Sequence, residues 1–283
     1  MSKKIFLCSI SNINSGTCSE DCKFCSQSVR YKADIERYKQ KPIEKIIQEA
    51  KTMESLGALG FCLVTAHKGL DDKVLEFVCS VAAEVKKAAP ALRLIACNGT
   101  ANIEQLRELQ SVGIDAYNHN LETSREFYPS ICTTHEWSDR YETCENVNSV
   151  GLKLISGGIF GLGESDDDRV SMLKSLRELS PSSAPLNFYH HNSALPLKPN
   201  PLTTDEALGL VRLSRKMLDT TQRIMIAGGR EVVFGDRVDE VFEAGANSIV
   251  IGDYLTTSGR ESHKDLQMLQ ELGFNIATKA DVK

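Results

Sequence analysis

"PIEKIIQEAKTMESLGALGFCLVT", residues 42–65, joins two periodicities end to end. Ile43, Ile46, Ile47, Ala50, Met53 and Leu56 recur at helical spacing and paint one apolar stripe. Pro42 stands at the predicted first helical position, where a missing N–H costs nothing, and Gly57 follows the last apolar position as a stop. Residues 60–65 then form a short apolar run, the pattern of a buried strand. The same alternation recurs outward in both directions, with strand candidates at 4–10, 60–65, 92–98, 115–120, 153–157, 186–189, 223–227 and 248–251. Before another helical stretch, Thr203 and Glu206 have capping-box spacing, and Leu210, Val211, Ser214 and Met217 continue its face. Strands alternating with crossover helices imply a parallel sheet, and eight repeats predict closure into a (βα)8 barrel, with an open doubly wound sheet as the alternative.

The chain has 283 residues, 41% of them hydrophobic and 25% charged, which suits a globular barrel of this size. No low-complexity stretch, linker or charge run divides it, so residues 1–283 are expected to form a single domain. A net charge of -5 argues against a nucleic-acid partner, which calls for a clustered basic face. The apolar run Ile5–Leu7 is too short for a signal-peptide core or a membrane span, so a cytoplasmic protein with reduced thiols and no membrane association is expected.

In that compartment, closely spaced cysteines bind metal or do redox chemistry more often than they form bridges. "SGTCSEDCKFCSQ", residues 15–27, holds Cys18, Cys22 and Cys25 in Cys-x-x-x-Cys-x-x-Cys spacing. The barrel reading places them in the loop after the first strand, at the end where barrel enzymes keep their chemistry. A zinc site ordinarily has four ligands, and no second cysteine pair or His-x-x-x-His follows. Three ligands suit a cubane cluster with one open iron; structural zinc or unrelated thiols are the alternatives.

That spacing, with Phe24 just before the third cysteine, resembles the radical S-adenosylmethionine enzymes. "YNHNLETS", "SGGIFGLGES", "AGGRE" and "AGANSIVIGDYLTT" extend the resemblance over nearly the whole chain to the biotin synthase family. The resemblance implies a (βα)8 barrel, a homodimer, and sulfur insertion between two unactivated carbons of dethiobiotin. It implies a [4Fe-4S] cluster on Cys18, Cys22 and Cys25 that chelates S-adenosylmethionine and cleaves it to a 5'-deoxyadenosyl radical, with electrons from a flavodoxin or ferredoxin. It also implies that Arg140 pairs with the methionyl carboxylate, that Asn120 and Glu122 hold ribose or substrate, and that Phe24 and Ile159 flank adenine. Asn118, Asn120 and Asn187, at predicted strand ends, would bond the ureido ring.

An auxiliary [2Fe-2S] cluster, held by three cysteines and an arginine, is usual in this family. Cys62 and Cys97 match two of those cysteines, but Ile155 and Met225 occupy the other two positions, and neither replaces the usual ligand. Cys8, ten residues before Cys18, is either the further ligand or a small buried hydrophobe, so the auxiliary iron-sulfur cluster is [2Fe-2S] or of altered type. Without the resemblance the residues read more plainly. Strand-end asparagines satisfy turns, Arg140 is a solvated charge on a surface helix, and Cys79, Cys132 and Cys144 are packing. No histidine stands in a metal-ligand pair, and His119 is structural. Two other functions compete: a radical barrel enzyme of the hydrogenase-maturase kind, and an ordinary barrel enzyme using "AGGRE" and "IGDYL" as a phosphate cradle.

Overall fold

The computed structural model describes residues 4–198, 201–257 and 259–281. Ten strands run through it: β1 (Lys4–Asn12), β2 (Gly60–Val64), β3 (Arg93–Cys97), β4 (Ile114–Asn118), β5 (Lys153–Ile155), β6 (Gly158–Phe160), β7 (Ser183–Phe188), β8 (Arg223–Ile226), β9 (Ser248–Val250) and β10 (Asn275–Ile276). All pairings between them are parallel, in the order β1-β2-β3-β4-β5-β7-β8-β9, and β9 returns to β1 through Phe6↔Ser248 and Cys8↔Val250. The sheet is therefore a closed eight-stranded barrel, and the open-sheet alternative is excluded. β10 lies outside the ring, extending the start of β1 at Lys4↔Asn275.

The sixth repeat differs from expectation. β7 starts at Ser183 rather than 186, running through Pro185, which cannot donate to a ladder. The facing strand is broken at the same level: β5 pairs at Ile155↔Ser183 and β6 resumes at Gly158↔Leu186. The interruption at Ser156–Gly157 falls opposite Ala184–Pro185, so the missing N–H meets a gap in the ladder. Gly157 is required there, since a Cβ would fall 1.9 Å from the Pro185 carbonyl oxygen.

Helix Ile43–Ser55 starts one residue after Pro42, which caps it, and buries Ile46 and Ala50 against the barrel. Replacing Ile46 with Ala should cost about 2–5 kcal/mol, the usual cost of a cavity at a fully buried site. Helix Thr204–Met217 carries the expected Thr203–Glu206 capping box. Two apolar layers result. One lies between strands and helices; the other fills the barrel interior with Cys8, Cys62, Val64, Ile95, Ala116, Ile155, Met225, Ala227 and Val250.

Candidate active site

Residues 13–42, between β1 and the first helix, carry little regular structure and cover the C-terminal mouth of the barrel. Backbone bonds fold the cysteine segment on itself: Cys25 N donates to Cys22 O at 3.0 Å, Cys18 N to Gln27 O at 3.2 Å and Val29 N to Cys18 O at 2.8 Å. Cys18, Cys22 and Cys25 are thereby brought together, Cys25 within electrostatic reach of both others. Burial raises Cys18, and raises Cys25 to about 11; Cys22 is raised first by its hydrogen bond to Cys132 and then by burial. The Arg140 guanidinium opposes all three shifts. Three converging thiols beside a buried cation, with no fourth cysteine in the segment, form a donor set that fits a cubane cluster with one open iron.

Two further residues join this loop. Cys132 Sγ lies 3.6 Å from Cys22 Sγ and 3.3 Å from His135 Nδ1. His135 Nδ1 is 2.6 Å from Glu20 Oε2, and its Nε2 is 2.7 Å from the Tyr128 hydroxyl. The donor atoms of Cys22, Cys132 and His135 lie within 4.8 Å of one another, close enough to hold one metal ion. Neither the packing reading of Cys132 nor the exclusion of histidines from metal-ligand pairs anticipated this. The Cys-x-x-His spacing of Cys132 and His135 was the available signal.

Arg140 is not the solvated charge that its helix, Trp137–Ser149, suggested. Its side chain is 13% exposed; Nε donates to the Tyr128 hydroxyl at 2.6 Å and Nη1 to Asn120 O at 2.8 Å, with Glu122 Oε1 at 3.6 Å. Glu122 is a non-glycine residue at φ 69°, a strained backbone that positions its carboxylate beside Arg140. Burial raises its pKa, and Oε2 is buried without a hydrogen-bond partner. Phe24, Asn120, Glu122 and Ile159 all line one cavity of about 490 Å³ at the mouth. His119, buried with Nε2 unpartnered, is held well below its ordinary pKa by burial and by Arg140.

The three asparagines enter the same cavity but are not equivalent. Asn187 accepts from Gly228 N at 2.9 Å and donates to Gly158 O at 3.2 Å, tying β6, β7 and the end of β8 together. Asn120 accepts from Gly157 N at 3.1 Å. Asn118 donates to Cys97 Sγ at 3.6 Å, and its Oδ1 is buried without a partner. The turn-satisfying reading thus describes Asn187 and Asn120 in part and leaves Asn118 with a free acceptor.

Deeper in the cavity, Cys8, Cys62 and Cys97 come from adjacent strands β1, β2 and β3. The register Cys8↔Gly60, Cys62↔Ile95 and Val64↔Cys97 sets them on a rising diagonal. Hydrogen bonding to Cys97 and burial push Cys62 well above its ordinary pKa, with further contributions from Cys97 and Cys8; burial pushes Cys8 up to about 12. Gly60 makes room for Cys8: a Cβ there would lie 3.0 Å from its Sγ. Ile155 and Met225 line the same interior and offer no hard donor.

Residues 13–176 match the Radical SAM superfamily and residues 185–275 the Biotin and Thiamin Synthesis associated domain. A biotin synthase of Sulfurimonas denitrificans is 68% identical over 278 residues, spanning 98% of this chain and 99% of the relative. This chain belongs to the biotin synthase family. Biotin synthases of Aliarcobacter butzleri and Helicobacter hepaticus are 60% and 54% identical, covering 97% and 98% of the chain and 97% and 98% of the relatives. The fold is shared more widely. A FeFe-hydrogenase maturase of Carboxydothermus hydrogenoformans superposes with a TM-score of 0.84 at 17% identity, over 98% of this chain and 68% of that one. A methylornithine synthase gives 0.82 at 18%, over 99% and 85%.

For a biotin synthase, then, both matched segments build one barrel, the second supplying β7, β8 and β9 that close it. The maturase reading keeps the fold but loses the function to the biotin synthase identities. The phosphate-cradle reading of "AGGRE" fails on geometry. Gly229, at φ 82°, packs so closely that a Cβ would fall 1.8 Å from Phe188 O, and the Arg230 side chain, 1% exposed, is spent on Asp265 at 2.6 Å.

Proposed function

We propose that this radical S-adenosylmethionine enzyme inserts sulfur into dethiobiotin to give biotin, with a [4Fe-4S] cluster on Cys18, Cys22 and Cys25 and an auxiliary iron-sulfur cluster on Cys62, Cys97 and Cys8. The observation that carries this reading is the continuity of one cavity, lined near its mouth by Phe24, Asn120 and Glu122 and at its floor by Cys8, Cys62 and Cys97. A molecule reaching from one level to the other would place its reacting carbons beside the floor thiols.

When bound, the first cluster supplies the electron that cleaves S-adenosylmethionine. The chain's own residues bind, orient and exclude water. Arg140 offers a buried, fixed cation to the methionyl carboxylate. The unpartnered Glu122 oxygen suits a ribose hydroxyl, while Phe24 and Ile159 would flank the adenine. Asn118 Oδ1 accepts a ureido N–H, and Asn120 and Asn187 retain hydrogen-bonding capacity beyond their backbone contacts. A flavodoxin or ferredoxin donor, a homodimeric state and a cytoplasmic setting complete the proposal. Among the described residues no helix is long and apolar enough to cross a membrane.

Two anaerobic variants test it. With Cys18, Cys22 and Cys25 all replaced by alanine, S-adenosylmethionine cleavage should cease; continued 5'-deoxyadenosine formation would refute the first cluster. Cys8→Ser should still cleave S-adenosylmethionine while losing auxiliary iron and biotin, and full auxiliary iron with normal biotin output would remove Cys8 from the ligand set.

A further inference from the structure

Cys22 takes part in a second donor set that leaves out the other two cysteines of its motif. Its Sγ lies 3.6 Å from Cys132 Sγ, which in turn lies 3.3 Å from His135 Nδ1, and Cys18 and Cys25 do not belong to this group. The backbone sets the juxtaposition. On one side of Cys22, Asp21 accepts from Thr133 N and Thr134 N; on the other, Lys23 N donates to Ile131 O at 2.8 Å and Lys23 Nζ to Ser130 O at 2.8 Å. Cys22 is thereby held against the segment that carries Cys132 and His135, and all three side chains are buried.

The dimensions are those of a mononuclear metal site. Metal–sulfur bonds of about 2.3 Å and metal–nitrogen bonds of about 2.0–2.1 Å at tetrahedral angles put two sulfurs about 3.8 Å apart, and a sulfur and a nitrogen about 3.5 Å apart. The edges of 3.6 and 3.3 Å are already near these values. The third edge, within 4.8 Å, closes with a small shift of the imidazole. His135 Nε2 is 2.7 Å from the Tyr128 hydroxyl, so with Nδ1 on a metal the remaining ring N–H has an acceptor, the contact that orients metal-bound histidines. Glu20 Oε2, 2.6 Å from Nδ1, is a fourth donor within reach. Two thiolates and a carboxylate around a divalent ion leave one negative charge, and Arg140, donating to the same Tyr128 hydroxyl at 2.6 Å, is placed to offset it. Thiolate and imidazole donors select thiophilic transition metals over magnesium or calcium.

We infer that Cys22, Cys132 and His135, completed by Glu20, bind one thiophilic divalent ion, ferrous iron in the working protein, before the [4Fe-4S] cluster is built, and that Cys22 leaves this site for the cluster as it forms. The inference rests on the proposed first cluster only in making Cys22 common to both. On binding, each thiol gives its proton to solvent and no electron moves. A terminal thiolate serves one metal, so the two sites alternate, and the ion is held one residue's reach from where the cluster assembles.

The full-length chain, freed of iron by anaerobic chelation under a reductant, is given one equivalent of ferrous iron enriched in the Mössbauer isotope, with no sulfide. The spectrum should show a single tetrahedral ferrous site, and X-ray absorption at the iron edge two sulfur neighbours with histidine scattering. Three sulfurs without histidine would put the ion on Cys18, Cys22 and Cys25 and overturn the site, as would an ion that stays unbound. Cys132→Ser and His135→Gln should each weaken ferrous binding by more than roughly ten-fold, the least that loss of a residue supporting a metal ligand costs. Cys18→Ala and Cys25→Ala should leave it unchanged, and the reverse pattern overturns the site. Enzyme already carrying its [4Fe-4S] cluster should take up no such ion. If it does, with the same two-sulfur and histidine signature, the exchange is overturned and Cys22 is not a cluster ligand: the first-cluster assignment has then failed, whereas failure in the iron-free chain leaves that assignment standing.

Discussion

Asn118 separates binding from stability more cleanly than its two companions do, because its buried Oδ1 has no protein partner. Asn118→Ala should weaken dethiobiotin binding by about 1–3 kcal/mol, the cost of leaving a desolvated ureido N–H unpaired, with the thermal midpoint little changed. Asn187→Ala should lower both, since Gly228 N and Gly158 O lose their partners together. Calorimetric titration of dethiobiotin beside thermal melts distinguishes the two; native affinity in Asn118→Ala would remove that residue from the ureido site. The residue types of the site were legible because cysteine spacing and strand-end amides are sequence properties. Arg140 was legible only through the family resemblance: its helix looks polar, and only the fold reveals that Tyr128, Asn120 and Glu122 converge on it. Cys132 was missed for a related reason, since its partner Cys22 lies 110 positions away.

At the scale of elements, the cysteine loop is fastened by Asp21, whose carboxylate accepts from Thr133 N at 2.8 Å, Thr134 N at 3.2 Å and both threonine hydroxyls. Burial alone would raise its pKa, but the hydrogen bonds from Thr133, Cys132 and Thr134 outweigh it and hold the carboxyl well below the ordinary range. A depressed folded-state pKa contributes stability that is present above the unfolded value, near 4, and is lost as the pH falls toward the folded value. Asp21→Asn should therefore cost about 1–3 kcal/mol at pH 7. The gap between the two urea-unfolding curves should narrow below about pH 4; a gap independent of pH would mean that the charge of Asp21 is not what fastens the loop. Seven of the eight strands begin within one residue of their expected starts because each is a compact apolar run. The exception, β7, was hidden by Pro185, whose acceptability depends on the break in its neighbour at Ser156–Gly157. β10 has only two residues and no apolar pattern of its own.

Closure of the whole barrel depends on how its last segment is tied back, and there a buried ion pair stands out. Arg230, just past β8, meets Asp265 of helix Ser262–Glu271 at 2.6 Å, with side chains 1% and 0% exposed. Glu231 continues the tie, accepting from Arg230 Nε at 3.1 Å, the Tyr254 hydroxyl at 3.1 Å and Arg260 N at 3.2 Å, so the same node holds the 254–257 rim of the large cavity. The pair is incompletely satisfied: Arg230 Nη1 and Asp265 Oδ1 have no hydrogen-bond partner. Two desolvated charges with bonds left unmade gain little over apolar side chains, yet removing Asp265 leaves the buried Arg230 with Glu231 alone, at 3.1 Å. Asp265→Ala should therefore lose about 3–5 kcal/mol, whereas Arg230→Met combined with Asp265→Leu should recover most of that loss. Urea unfolding of both variants checks the prediction. A double variant as unstable as the single one would make the pair a net source of stability; recovery would mean that the charges fix where the last helix docks, and with it the Tyr254 rim, more than how tightly the barrel holds.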